Sequence, residues 1–477
     1  MNKMSRFLCV GALTVGAAVG FLSSPLSATP RAPVTMAVWD ELAAHGQTRV
    51  WVHLKGHADL SGAQNLITKS AKGHYVYDTL TTFTRKSQAP LRQFLDQKGL
   101  KYHAFWITNA IVLDVDATLV KALSERNDVE RITPNPWMYM LEDTTRGEVP
   151  EGTTAVEWNV TETKAPQVWD LGYTGQGVVV AGNDTGVQWD HPALIDSYRG
   201  SANGRVDHNY NWFDAIGGKA IPYDDNDHGT FTVGQMVGSE GTNIIGVAPG
   251  ATWIGCKNMG ANGYGSPESY TTCFEFFIAP TDTAGRNPNP DLAPDVVNNS
   301  WNCPSSEGCD DSTLQDIVTA TQEAGVMLVL SAGNSGPSCR TVSDPPSNYA
   351  EVLSVGAYDR NGSIAGFSSR GPSDYDQSIK PNVSAPGVAV RSSVPGGGYA
   401  SGWSGTSMAA PEVAAAIALV WSADPTLMGD IDATRAVMEG TAIATRSVQC
   451  GGSRTQGNNV WGRGKLDALA AVNKALQ

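Results

Sequence analysis

Basic residues are scarce in this 477-residue chain: 33 Lys and Arg stand against 47 Asp and Glu, for a formal net charge of −14. The shortage is local. Residues 1–150 carry 16 basic and 13 acidic side chains (net +3), whereas residues 151–477 carry 17 and 34 (net −17). Affinity for phosphates comes mostly from Lys and Arg, so nucleic acid is excluded as an expected partner, and attraction to anionic lipid is disfavoured. Long apolar runs are missing beyond the first 22 residues, which leaves no evident membrane span in the mature chain. Internal repeats are missing too, against a solenoid or an adhesive array. No Cys-x-x-Cys pair occurs, which removes the commonest zinc spacing. With 41% hydrophobic and 17% charged residues the chain is neither collagenous, coiled-coil nor disordered throughout. Gly 51 and Pro 26 make about one residue in six, a composition that suits a compact fold with many loops, in two to three domains by length.

What is there begins with a targeting signature. Lys3 and Arg6 precede the uncharged run Phe7–Leu22, and Leu26-Ser27-Ala28 follows with small residues. The run is short for a bilayer span, so residues 1–28 read as a secretory signal peptide and the mature protein as extracellular or periplasmic. Cysteine usage agrees. Cys9 falls in the signal, and Cys256, Cys273, Cys303, Cys309, Cys339 and Cys450 remain. Six cysteines in an exported protein allow up to three disulfides in 15 connectivities, of which Cys303–Cys309 is the best local pair.

Residues 29–145 form the next unit. Arg49–Leu54, Tyr102–Ile107, Ala110–Val115 and Val129–Ile132 read as strands, and Tyr75–Lys98 and Leu119–Arg126 as helices. The order βαββαβ is the ferredoxin-like α+β arrangement. Residues 141–155 are polar and aperiodic, an exposed linker. From residue 156 to 477 the apolar runs Gly177–Ala181, Asp295–Val297 and Val326–Leu330 alternate with helical stretches Pro267–Phe277, Thr313–Ala324, Ala409–Trp421 and Lys465–Leu476. That alternation predicts an α/β domain with a doubly wound, mostly parallel sheet.

Only His191, His208 and His228 follow residue 150, so a hydrolase with a histidine base chooses among these. His228 opens a helical stretch in Asp-Asn-Asp-His-Gly-Thr. Asp184 follows an apolar run, at the carboxyl end of a parallel strand, where open α/β sheets bind ligands. Ser407, in Ser-Gly-Thr-Ser-Met-Ala-Ala-Pro, stands where a helix begins, with backbone N–H groups and a positive dipole nearby. Asn334, in Ser-Ala-Gly-Asn-Ser-Gly, directly follows the run Val326–Leu330. Each residue alone suits a turn or a cap. Together they stand in the order Asp…His…Ser with Asn334 between the last two, an order found in subtilisin.

The blocks NDTGVQWDHPAL, DHGTFTVGQMVG, APDVVNNSW, SAGNSGP and SGTSMAAP resemble the subtilisin-like serine protease family (peptidase family S8) over residues 156–477. VVNNSW, CKNMG, FSSRGPS and SAPG are similar to its bacillopeptidase F-like branch. Residues 29–145 resemble the family's inhibitory propeptide, of the I9 inhibitor type. The resemblance implies a secreted serine endopeptidase made as a zymogen, with Ser407 as nucleophile, His228 as general base, Asp184 as its orienting carboxylate and Asn334 as oxyanion donor. It implies substrate binding by Ser300, Trp301 and Asn302 on one cleft edge, by Gly263, Tyr264 and Gly265 on the other, and by Ala332 and Gly333. Protein or peptide substrates and the chain's own propeptide are the implied partners, in a monomer.

Several residues depart from the family's usual pattern. Asp227 replaces a Gly, Phe231 a His, and Glu412 and Ala415 a His and a Gly on the nucleophile's helix; Trp301 and Asn302 stand where small residues are usual. Asp227 adds negative charge beside His228. The chemistry implied needs no cofactor. A structural calcium is left open, its ligands unassigned, because Ala193 replaces a usual ligand and the loop at Asn243–Gly246 is short; Asp224-Asp225 and Asp310-Asp311 are acidic clusters that could hold the ion. Two rival readings are a peptide-binding relative without activity and an esterase with the same nucleophile; the intact triad and the two cleft edges favour the peptidase.

Overall fold

The structure, a computed structural model, describes residues 31–139, 155–202, 204–304, 309–310, 312–453 and 457–477. The signal segment, residues 141–154 of the linker, and Asp311 lie outside the described residues.

Two buried faces of one small sheet build the N-terminal unit. After α1 (Met36–His45) come β1 (Thr48–Leu54), α2 (Lys69–Gln97), β2 (Tyr102–Ala104), β3 (Ala110–Val115), α3 (Ala117–Ser124) and β4 (Val129–Pro134). The strands pair antiparallel in the order β2-β3-β1-β4. Val50, Val52, Leu54, Ile111, Leu113 and Ile132 turn one sheet face toward Leu91, Leu95 and Leu123 of the helices. Thr68 and Asp116 cap α2 and α3 by accepting backbone N–H bonds from Ala71 and Leu119. Three local expectations are corrected. α1, which buries only Val38 and Leu42, has too narrow an apolar face to stand out in the sequence. α2 starts at Lys69, earlier than Tyr75, because its first turn is polar and is stabilised by its cap. β2 stops at Ala104, short of Ile107, because the Trp106 and Ile107 backbone N–H groups serve a contact with the second unit described below.

A two-residue strand, β5 (Met138–Tyr139), precedes the second unit. There α4 (Trp158–Glu162), α5 (Ala165–Asp170), β6 (Val179–Asp184), β7 (Trp212–Asp214), α6 (His228–Val237), β8 (Thr252–Lys257), β9 (Tyr264–Gly265), α7 (Pro267–Ile278), β10 (Val296–Asn299), α8 (Gln315–Glu323), β11 (Met327–Ser331), β12 (Leu353–Tyr358), β13 (Val383–Pro386), α9 (Thr406–Ala423), α10 (Ile431–Thr441) and α11 (Ala468–Ala475) follow one another. Seven strands form one sheet in the order β13-β12-β11-β10-β6-β8-β7, with every neighbouring pair parallel. Their side chains face both ways. Val180, Val296 and Val329 pack with α6, α9 and α11, while Ala181, Val297, Leu328 and Leu330 pack with α7 and α8. Helices cover both faces, which is why these strands read as unbroken apolar runs.

The fold also corrects the expectation of no second long apolar run. α9, 18 residues long, is apolar enough to cross a bilayer by length and composition, yet it runs buried against the sheet. Its alanines let the neighbouring layers approach closely.

The two units are docked. Val76, Leu80 and Ile107 of the first join the cluster of α7 and α8. Arg49 grips Glu268 with two hydrogen bonds, Nε–Oε2 at 2.6 Å and Nη2–Oε1 at 2.8 Å. Lys69 Nζ meets Asp295 at 2.5 Å, and Trp106 and Ile107 donate their backbone N–H groups to Glu275 Oε1 at 2.5 and 3.1 Å. Burial pushes Glu275 up to about 7. Burial also pushes Glu268 up, but the hydrogen bonds from Arg49 and His103 outweigh it and hold that carboxyl down at about 2.

Three disulfides fix the second unit: Cys256–Cys273 joins β8 to α7, Cys303–Cys309 closes the local pair, and Cys339–Cys450 closes 111 residues. A cross-link restricts the unfolded chain more as its loop lengthens. Cys339→Ser with Cys450→Ser is therefore expected to lower the unfolding free energy by about 2–4 kcal/mol, and loss of Cys303–Cys309 by less. Thermal melts in a Ser407→Ala background measure both; an unchanged melt of the first pair contradicts the expectation.

Candidate active site

The sheet order fixes where a site can form. From β6 the chain moves outward to β8, whereas β10, on the other side of β6, begins a progression toward β11, β12 and β13. Adjacent strands whose connections leave in opposite directions open a crevice at their carboxyl ends. Asp184 is the last residue of β6, and Ser300 directly follows β10.

α6 brings His228 to this crevice as its first helical residue. His228 Nδ1 lies 2.9 Å from Asp184 Oδ1 and 3.0 Å from Oδ2, and both side chains are buried. Asp184 Oδ1 also accepts the Thr185 N–H at 2.7 Å, and Thr232 Oγ1 lies 3.4 Å from Oδ2. A carboxylate held this way takes the Nδ1 proton as partner and turns Nε2 toward the crevice. His228 Nε2 is buried and has no hydrogen-bond partner in the structure.

Ser407 is the second residue of α9, so its backbone N–H is among those the helix leaves unsatisfied. Its Oγ donates to Ser300 O at 3.2 Å, and Ser300 Oγ donates to Ser407 O at 2.9 Å. The structure therefore brings Ser407 to the crevice with Oγ on the Ser300 carbonyl, and not in a hydrogen bond with His228. Asn334, three residues beyond β11, accepts from Thr406 N and Oγ1 at 2.9 and 2.8 Å through Oδ1. A Cβ on Gly405 would lie 3.4 Å from Asn334 Nδ2 and 3.6 Å from Ser407 N. Glycine at 405 thus leaves open a spot near two N–H donors.

The residues expected to bind substrate divide by location. Trp301 is fully buried: its ring stacks on Tyr270 with centroids 4.2 Å apart, and its Nε1 donates to Asn183 O at 2.8 Å. Its side chain lies in the core, so only its backbone can line the crevice. Asn302 Nδ2 reaches Ser331 O at 3.4 Å, and Ala332 N donates to Val355 O at 3.0 Å. Gly333 N donates to Thr406 Oγ1 at 3.2 Å, joining the Asn334 loop to the start of α9. β9, which contains Tyr264 and Gly265 and follows Gly263, pairs antiparallel with β5, Tyr264 opposite Tyr139 and Gly265 opposite Met138. The chain's own segment thus occupies this edge. Of the other histidines, His191 bonds the Gly398 carbonyl at 2.8 Å and His208 the Tyr198 hydroxyl at 3.0 Å, both away from the crevice.

Three supporting residues escaped the sequence reading as site residues. Asp224 accepts from Thr185 Oγ1, the backbone N–H of Asn226, Asp227 and Thr230, and Thr230 Oγ1, all between 2.8 and 3.1 Å. Thr185 Oγ1 in turn accepts the Gly229 N–H at 2.9 Å, so strand end and helix start share one network. Burial pushes the Asp224 carboxyl up, against these donors. Lys257 stands opposite Asp184 in the β8–β6 register, is fully buried, and donates to Thr185 O and, at 2.7 Å, to Asp225 Oδ1. Asp224 precedes His228 by four residues, a spacing that carries no signal alone. Pairing of Lys257 with the Thr185 segment appears only once strands are in register.

The same contacts decide the calcium expectation at Asp224-Asp225. Asp224 is saturated by N–H and O–H donors and Asp225 is paired with Lys257, so the two do not fit a cation. Among the described residues no group of three or more His, Cys, Asp or Glu side chains is placed to hold a metal ion.

The departures from the usual pattern are absorbed locally. Asp227 adopts φ 89°, a left-handed conformation natural to Gly and tolerated by Asp. Phe231 stacks on Trp403, centroids 4.3 Å apart at 7°.

Comparison with known proteins agrees with this geometry. Residues 175–464 match the family model described as the subtilase family (peptidase S8). The chain is 38% identical over 428 residues to Bacillopeptidase F of Bacillus subtilis (strain 168), a match covering 85% of this chain and 29% of that protein. It is 33% identical over 299 residues to an Alkaline protease of Alkalihalobacillus alcalophilus, covering 62% and 67%. It is 30% identical over 368 residues to Subtilisin E of Bacillus subtilis (strain 168), covering 76% and 84%. The chain spans less than a third of the length of Bacillopeptidase F. The parallel sheet, its switch point and this match over most of the second unit make the chain a member of the subtilase family of serine endopeptidases.

Proposed function

We propose that this chain is a secreted serine endopeptidase made as a self-inhibited zymogen, with residues 29–145 as propeptide and 156–477 as catalytic domain. The observation that carries the reading is the buried Asp184–His228 hydrogen bond at the switch-point crevice, which Ser407 enters from the start of α9. In the reaction Ser407 Oγ turns from the Ser300 carbonyl to His228 Nε2, gives up its proton there and attacks the substrate carbonyl. Asp184 keeps the imidazole in the right tautomer and stabilises its charged form. The developing oxyanion takes the place beside Gly405, between Asn334 Nδ2 and Ser407 N. His228 then protonates the leaving amine, and water repeats the sequence on the acyl-enzyme. No step calls for a metal or an organic cofactor.

Substrate recognition by strand addition is supported by the β5–β9 pairing, because main-chain hydrogen bonds of this kind serve any extended peptide. The same pairing supports the propeptide reading. The N-terminal unit has a core of its own and reaches the crevice edge with its last strand. Family membership favours the peptidase over the esterase, and hydrolysis of casein against short-chain esters separates the two.

Three outcomes are expected. Ser407→Ala accumulates as an uncut chain in a host lacking other proteases, and a normally shortened product on a gel rejects self-processing. Asn334→Ala folds and still reacts with a fluorophosphonate, but loses about 10²- to 10³-fold in kcat, the loss known for one oxyanion donor in subtilisin, a relative; unchanged kcat rejects the assignment. Arg49→Ala leaves Glu268 without its bidentate partner and weakens inhibition of mature enzyme by the added N-terminal unit by about 1–3 kcal/mol, or roughly 5- to 150-fold in Ki. An unchanged Ki shows that this ion pair does not anchor the inhibitor.

A further inference from the structure

Glu412 is a buried acidic side chain that the proposed chemistry does not use. It lies on α9, five residues beyond Ser407, and is fully buried. One of its oxygens is engaged: Oε1 accepts from Asn159 Nδ2 at 2.6 Å and from Gln235 Nε2 at 3.0 Å. Gln235 lies on α6, seven residues beyond His228, and its Nε2 also donates to Met408 O at 2.8 Å, next to Ser407. Asn159 lies on α4, at the start of the second unit. A single carboxyl group thus joins the helix of the nucleophile, the helix of the base and the first helix of the catalytic domain.

The remaining atoms of the node indicate its protonation. Glu412 Oε2, Asn159 Oδ1 and Gln235 Oε1 are buried and have no hydrogen-bond partner. If the carboxyl is ionised, all three are acceptors and no donor serves them. If Oε2 carries a proton, it becomes the missing donor, and an amide that gives N–H to Oε1 can receive O–H from Oε2 through its own carbonyl. Turning either amide over does not help, because its oxygen would then face Oε1. Among the described residues no cation pairs with Glu412; Lys465 Nζ lies over the neighbouring Tyr358 ring, 4.9 Å from its centroid. The groups that bear on Glu412 are the two amides, from α4 and α6, and the Tyr358 phenol on β12, which itself lies in the field of Glu412, Glu162 and Asp467.

We propose that Glu412 is held as a neutral carboxylic acid and acts as a positioning residue, its shared proton locking α9 to α6 and α4 so that Ser407 and His228 keep their register. The positioning half rests on the serine-peptidase reading; the protonation half does not. Burial, outweighing the two amide hydrogen bonds, pushes the carboxyl up to about 8. A carboxyl raised on folding contributes stability that is full below its ordinary value near 4.5 and is lost as pH rises through about 8.

The test has two arms. In the full chain carrying Ser407→Ala, infrared difference spectra between neutral and alkaline pH are expected to show a protonated-carboxyl C=O band that disappears on alkalinisation and is missing in the added Glu412→Gln variant. The alkaline fall in melting temperature is expected to be smaller in that variant. In active enzyme, Glu412→Ala is expected to lower kcat by about tenfold or more with KM nearly unchanged, and Glu412→Gln, which supplies an N–H donor from the same place, to restore much of it and flatten the alkaline limb of kcat. A band and an alkaline melting shift that persist in Glu412→Gln overturn the neutral assignment. An alkaline limb identical in Glu412→Gln and the parent overturns the positioning role. A parent chain that cleaves no peptide overturns the peptidase reading and with it the positioning role, and the spectrum still decides the proton. If Glu412→Ala fails to fold, Glu412→Gln and the spectrum carry the test alone.

Discussion

The opposite departure of β6 and β10 from the middle of the sheet is the constraint on which the rest depends. Parallel strands all end on one side, and helices cover both faces, so a site can open only where two neighbouring connections part. Asp184 ends one of these strands and Ser300 follows the other. The helix between β7 and β8 starts with His228, and α9 packs on the sheet to deliver Ser407 at the same opening. Residues 223 positions apart in sequence meet because each sits at a terminus of an element anchored in one sheet. Termini carry the unsatisfied backbone groups that an oxyanion needs, so the geometry that makes the crevice also supplies part of its electrostatics.

Holding charge inside such a crevice requires a surrounding network, and the structure builds it from neighbours in register rather than in sequence. Asp184 is opposite Lys257 across the β6–β8 pair, and Lys257 donates to the carbonyl of Thr185. Thr185 links to Asp224, which gathers the loop preceding His228. Removing one member of such a network leaves buried partners unsatisfied, a larger penalty than the net worth of any one hydrogen bond. The Asp184–His228 pair is thereby fixed from three sides, whereas the Ser407 hydroxyl is held only by the Ser300 carbonyl.

Much of this was legible in the sequence because it is carried by local pattern. Apolar runs marked β6, β10 and β11, helical stretches marked α2, α3, α7, α8, α9 and α11, and the succession of strand and helix patterns gave the order of the N-terminal unit. What escaped depends on neighbours. β12 (LSVGAY) and β13 (VSAP) include Ser and Gly, lack a long apolar run, and are strands because adjacent strands accept their backbones. The family resemblance places Trp301 on the crevice edge with Ser300 and Asn302, but the structure sends its indole into the core against Tyr270, so only its backbone is left for that edge. The disulfide pairing, one of fifteen on cysteine count alone, follows from which loops the sheet brings together. The candidate catalytic residues were legible by type and order; the orientation of Ser407 Oγ toward Ser300, rather than His228, was not, since a rotamer leaves no trace in sequence.

On the proposed reading one edge must serve two purposes. Backbone pairing along β9 accepts any extended peptide, so it cannot by itself distinguish the chain's own tail from a substrate. Recognition of self must come from contacts outside the crevice, and these are the ones where the basic first part meets the acidic second: Arg49 with Glu268, Lys69 with Asp295, and the Trp106 and Ile107 amides with Glu275. Residues 29–145 carry 13 basic and 12 acidic side chains (net +1) and residues 156–477 carry 17 and 33 (net −16), a weak long-range attraction that screening limits to about 8–10 Å at physiological salt. The short-range anchors therefore do the holding. While the chain between Tyr139 and Trp158 is intact, anchor and tail act as linked sites, and each raises the effective concentration of the other. Cutting that connection leaves every contact in place yet removes the linkage, so a single hydrolysis converts a tethered inhibitor into a separable one. On that reading, an enzyme that makes this cut itself needs no second protein to make the change.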